Sequence, residues 1–203
     1  KKVETATQSA NASFTRMATA VRAIAASYAA LKLAEYVKDA TMLAARYETF
    51  GVVMRVVGNN AGYTGAQMET FARGLEKTGI SMIEARQTLT RMVQANLDLT
   101  QSLKLARVAQ DSAVIGNINS SEAFQRMVYG IQSGQVEILR TIGINVNFED
   151  SYQKVATATG RVTTQLSEAE KSQIRMNAVM DAGKMIAGTY ETAMGTAGKQ
   201  VLS

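Results

Sequence analysis

Cysteine, histidine, proline and tryptophan are all absent from this chain of 203 residues. Without Cys there is no disulfide, no thiolate nucleophile and no Cys-ligated metal. Without His, the commonest general base and metal ligand are gone as well. A zinc site would need carboxylates alone, which structural and catalytic zinc rarely uses. Most hydrolytic and redox chemistry is thereby disfavoured, while carboxylate-only catalysis stays open. The lack of Pro leaves no helix broken from within and removes X-Pro turns from the loops. Aromatic residues make up only 6%, and Ala and Met carry much of the 46% hydrophobic fraction. That balance favours closely packed helices over sheets, and the fraction is too high for intrinsic disorder.

Charge is uneven along the chain. Residues 1–60 carry eight Lys/Arg against four Asp/Glu, residues 61–145 eight against seven, and residues 146–203 six against six. The formal excess of +5 therefore belongs mainly to the N-terminal segment. It is too dilute for a nucleic-acid arm, which would cluster its Lys and Arg, so no sequence-specific nucleic-acid binding is expected. The apolar stretch from Met17 to Val37 contains Arg22, Lys32 and Glu35 and is dominated by Ala. It falls short of the roughly 20 strongly apolar residues of a membrane span. No cleavable hydrophobic core follows Lys1-Lys2, so a secretory signal fits poorly. The expectation is a soluble piece of a longer polypeptide or a processed product, because residue 1 is Lys rather than Met.

All fifteen Gly lie after residue 50, and this composition shift marks the clearest boundary. Before it, Val3, Ala10, Met17, Ile24 and Leu31 recur every seven residues. Thr7, Phe14, Val21 and Tyr28 form a second such series, offset by four and three. Together they make a heptad seam, the signature of a helix packing along another helix. A helix from Val3 to Phe50 would be roughly 70 Å long. The flanking positions Asn11, Ser13, Ala18, Ala20, Ala25 and Ser27 are small rather than charged. That pattern favours a bundle, or a coil of three or more strands, over a two-stranded zipper. Whether the seam pairs between chains or covers its own domain stays open.

After residue 50 the pattern changes to short helices. Capping boxes open at Thr64/Gln67, Ser81/Glu84, Asn119/Glu122, Asp150/Gln153 and Ser167/Glu170. Met82, Ala85, Leu89, Met92 and Val93 share one face, as do Ala123, Phe124, Met127, Val128 and Ile131. Leu97 to Ile115 reads as a further helix, and Gly79, Gly116, Gly134 and Gly143 sit where helices should stop. Residues 144–150 read as loop, and from Ser167 a second long helix carries Ile174, Ala178, Ala182 and Met185 along one side. Gly188, Gly195 and Gly198 loosen its end. The expected fold is all-α: a long N-terminal helix with a heptad seam (residues 1–50), a compact bundle of short helices (51–150) and a long C-terminal helical segment (151–203).

Motifs of chemistry are weak. Ser151-Tyr152-Gln153-Lys154 matches S-x-x-K and Lys77-Thr78-Gly79 matches K-T-G, but in the reverse of the acyl-enzyme order and without S-D-N. Gly58 to Gly65 is rich in Gly but lacks the G-K-[ST] ending of a phosphate loop. It reads as a helix–helix turn with Asn59 or Asn60 at positive φ. Asn119-Ser120-Ser121 is a formal glycosylation sequon, and nothing else implies secretion. Glu168, Glu170 and Asp181 read as a solvated, dipole-compensating set rather than a metal cluster. Methionines at 82 and 92, or at 176, 180 and 185, suit core packing better than an adaptable binding surface. No catalytic, cofactor-binding or metal residue is assigned. The one association site assigned is the seam from Val3 to Leu31.

The segments NAGYTG, FARGLEKTGIS, LTRM, LARVAQDSAVIGNINSSEAFQRMVYGIQSG, LRTIGI, LSEAEKSQ and YETAMGTAGKQ occur in that order along residues 45–200. In this pattern the chain resembles the tape measure proteins of long-tailed bacteriophages and prophages. The resemblance implies a structural, non-enzymatic tail component present in several copies, a trimer among the options. It would occupy the virion tail, and the host cytoplasm during assembly. Implied partners are further copies of itself and tail tube, tail tip or tail assembly chaperone proteins. A compact module suits anchoring or initiation within a longer ruler. The competing expectation, prompted by Met17–Val37, is a membrane-interacting helical protein acting at genome ejection. A cell-wall hydrolase is a weaker third, because some tape measure proteins carry such domains, and no cleft motif here supports it.

Overall fold

The computed structural model describes residues 32–33 and 35–195, and every regular element among them is helical. The seam residues Val3, Thr7, Ala10, Phe14, Met17, Val21, Ile24, Tyr28 and Leu31 lie outside the described residues. The chain divides into two compact units, residues 1–46 and 47–203. In the first, residues 32–33 and 35–46 are helical. The second unit opens with helix α1, residues 47–60.

The second unit continues through α2 (Gly65–Glu76), α3 (Met82–Gln94), α4 (Ser102–Ile115), α5 (Ser120–Ser133) and α6 (Val136–Arg140). Then come α7 (Phe148–Ala158), α8 (Glu168–Gly183) and α9 (Thr189–Met194), with short 3-10 turns before α4, before α8 and after it. Helix α5 is the centre, packed on α3, α4, α6 and α8, and α4 is its largest neighbour. Phe124, Met127 and Ile131 of α5 meet a core that includes Leu89 and Met92, Leu105 and Ala109, and Met176 and Val179, all excluded from water. Ala106, Ala109 and Ala113 give α4 a narrow buried face, which lets neighbouring helices approach closely. Helix α8 packs on α4, α5 and α7, so residues 148–183 share one core with the short helices before them.

Local signals explain most helix ends. Thr64 and Ser167 make complete reciprocal capping boxes with Gln67 and Glu170. Ser81 and Asn119 accept the N3 amide without the return bond. At α7 the cap is Asn147, whose Oδ1 accepts the Asp150 N–H, rather than Asp150. Moving the start upstream lets α7 bury Phe148. Gly134 ends α5 at φ 73°, the left-handed cap that a Cβ disfavours. The turn after α1 corrects a second expectation. Asn59 and Asn60 remain helical, and the positive φ (87°) falls at Gly62 instead. Two other Asn, Asn96 and Asn117, take the left-handed conformation after α3 and α4. Helix α8 also stops earlier than its periodicity suggests, so Met185 is 89% exposed rather than part of an apolar side.

The capping box at α8 carries a pH signature. The Ser167 N–H donates to Glu170 Oε2 at 2.8 Å, Arg161 Nη1 lies 2.8 Å from Oε1, and Ser167 Oγ donates at 3.0 Å. These bonds hold the Glu170 carboxyl down at about 2, from an ordinary 4.5. A folded value below the unfolded one stabilises the fold above about pH 4.5, and the contribution is lost as pH falls toward 2. Glu170→Gln keeps an acceptor but not the charge. Its urea midpoint is expected below wild type at neutral pH and to converge with it as pH approaches 2. A gap that stays constant with pH would contradict this account.

Candidate interaction surface

Helix α1 has two unlike faces beyond residue 47. Gly51, Met54 and Gly58 are buried and fall at three-and-four spacing. Gly58 lets the Met68 side chain of α2 lie against the α1 backbone, closer than any Cβ would permit. Gly51 gives Arg86 of α3 room for a tight approach, its Nη1 standing 3.0 Å from where a Cβ would be. Arg86 is 5% exposed. Its Nη1 donates to the Tyr47 carbonyl at 2.8 Å, and its Nη2 reaches both Glu69 carboxylate oxygens at 2.9 and 3.2 Å. The guanidinium also lies 4.1 Å from the centre of the Tyr47 ring. One buried cation thus ties α1, α2 and α3 together through an ion pair, a carbonyl and an aromatic face.

Two residues along a helix correspond to about 200° of rotation, so the positions offset from Met54 and Gly58 by two face the other way. There stand Val52 (51% exposed) and Val56 (53% exposed), flanked by Thr49 and Val53. In sequence register Val52 lies three heptads after Leu31, and Val56 four heptads after Tyr28. The intervening positions of the same register include the charged residues Glu35 and Lys38. The outward face of α1 therefore presents Val52, Val53 and Val56 beside the polar Thr49, Asn59 and Asn60, with Val52 and Val56 in sequence phase with the seam and a charged interruption between.

A second surface feature is a cleft of about 620 Å³ where the starts of α3 and α5 meet. Ser81, Asn119 and Ser121 line it with Glu76, Glu84, Glu122 and Tyr190. The Ser81 N–H donates to Ser121 Oγ at 2.9 Å, joining the two helix starts. Glu122 is paired with Arg126 at 2.6 Å. Glu84 Oε2 is out of water without a hydrogen-bond partner. Both Glu84 and Glu122 occupy first-turn positions, where a helix N-terminus favours a carboxylate.

The residues singled out for chemistry are used by local structure. Ser151 Oγ donates to the Asn147 carbonyl in the first turn of α7, and Thr78 Oγ1 to the Leu75 carbonyl after α2. Glu168 pairs with Lys171 and Asp181 with Lys184, each three residues apart on α8 or at its end. Met92 and Met176 are buried, and Met82 and Met180 pack against the core from its edge. Among the described residues no group of three acidic side chains is placed to hold a metal ion, and no helix is long and apolar enough to cross a membrane. Sequence reasoning missed the buried arginines. Arg86 does fall on the same helical face as Met82, Leu89 and Val93, four, three and seven residues away, and that placement was the available signal. No family model matches the chain, and no solved structure matches it.

Proposed function

We propose that this chain is a folded, non-enzymatic module of a tail length tape measure protein of a long-tailed bacteriophage or prophage. In this reading it sits in the tail tube or tip and guides tail assembly through contacts with its own copies and with tail proteins. The resemblance of residues 45–200 to that family motivates the reading. The observation that carries it is the outward face of α1, where Val52 and Val56 stand in water in phase with the Val3–Leu31 seam. An isolated exposed valine needs no explanation, whereas a stripe in heptad phase is what helix association uses.

Light-scattering mass tests this on the whole chain. The expected result is an oligomer of three or more chains that Val52→Lys together with Val56→Lys shifts toward monomer, with helicity retained. Loss of charge-free packing at two seam layers is expected to weaken association by at least about tenfold. A wild-type monomer at high concentration removes the self-association part of the proposal and leaves docking to tail proteins. Catalytic turnover by the purified chain would overturn the non-enzymatic part. The membrane-interacting alternative predicts binding to anionic vesicles, which the tail reading does not require.

A further inference from the structure

Helix α9 contains six residues, none of them buried. So short a helix does not persist alone in water. One of its first-turn amides is satisfied from α4, along which it lies. Asp111 Oδ1 accepts the Tyr190 N–H at 2.9 Å and lies 3.3 Å from Thr189 Oγ1. The same hydroxyl is 3.2 Å from the Asp111 carbonyl oxygen. A carboxylate 79 residues away thus does the work of an N-cap side chain, which Gly188 at the cap position lacks.

The approach to α9 resembles a hinge. Helix α8 ends at Gly183, whose backbone lies against Val108 of α4 more closely than a Cβ would allow. A single 3-10 turn (Lys184–Ile186) follows, and then Gly188 at φ 86° redirects the chain. Beyond that bend, Tyr190 forms one wall of the cleft at the starts of α3 and α5.

We infer that residues 189–195 form a detachable strap, latched by Asp111, that closes one side of this cleft. Undocking breaks the Asp111 bonds and rotates the chain at Gly188. The core is spared, because no residue of α9 belongs to it. The inference is independent of the tail reading.

Hydrogen exchange read by mass spectrometry on the whole chain tests it. Asp111→Ala is expected to speed exchange over 189–194 about fivefold, the size of a lost helix cap, while α4 and α8 keep wild-type rates. Gly188→Ala is the second variant. Nothing lies within 4 Å of the added Cβ, so it strains only the left-handed bend. It is expected to move the same segment in the same direction, and both variants are expected to be cut faster after Tyr190 by chymotrypsin. Unchanged exchange over 189–194 in either variant overturns the inference. So does an equal rise across α4 and α8, which would mean that α9 opens only when the core does.

Discussion

Arg175→Ala is expected to lower the free energy of unfolding by about 3 kcal/mol, the cost of leaving several buried acceptors without donors. Arg175 is 7% exposed and lies on the buried side of α8. Its Nε donates to the Ile131 carbonyl, Nη2 to the Gln132 carbonyl at 3.3 Å and Ser172 Oγ at 2.9 Å, and Nη1 to Tyr152 Oη at 2.8 Å. The two carbonyls belong to the last turn of α5, where a helix leaves acceptors unpaired and carries partial negative charge. A guanidinium therefore completes the end of α5 and is itself compensated there by carbonyls and hydroxyls. It also fastens α7 through Tyr152. Arg175→Met separates packing from hydrogen bonding. It fills much of the same volume, so it is expected to recover less than half of the loss in urea denaturation. Full recovery by Met would show that the arginine acts as filler.

Phe124→Ala is expected to cost about 3–5 kcal/mol, the range for removing a buried aromatic ring from a core that cannot collapse around the void. Phe124 is among the largest fully buried side chains and sits on α5, the helix touched by α3, α4, α6 and α8. Four neighbours hold the cavity open, so the upper part of the range applies. Phe124→Leu retains part of the volume and is expected to cost less than half as much. The check is the urea midpoint at constant slope, since a changed slope would signal a change in the unfolded or native ensemble instead.

The positions of these two residues differ in how far the sequence reveals them. Phe124 stands in an apolar series with Met127, Val128 and Ile131, and its burial follows from helical periodicity alone. Arg175 falls on the α8 face shared with Ser172, Val179 and Gly183, a face that hydrophobicity does not mark. The series Ile174, Ala178, Ala182 and Met185 looked more apolar. Ile174 is buried and Ala178 and Ala182 pack against the core, and the packing of α8 on α4, α5 and α7 widens the buried arc to Arg175, which meets the α5 carbonyls. Arg86 differs in lying on an apolar face, but its partner Tyr47, 39 residues away, is not marked in the sequence.

The sequence by itself determined the all-helical character of the described residues and the lack of cysteine or histidine chemistry, and it located most helix starts and stops. Those signals act over three or four residues, as in Thr64 with Gln67, Ser167 with Glu170, and the left-handed cap at Gly134. Tertiary structure alone decided which α1 face is covered, which groups the two buried arginines bond, and that a carboxylate on α4 caps α9. Each of these depends on groups brought together across 17 to 79 residues of chain, from the Arg86–Glu69 pair to the Asp111–Tyr190 bond. Periodicity reports which side of a helix is apolar. It carries no information about which distant carbonyl, ring or amide will need a partner once the helices have packed.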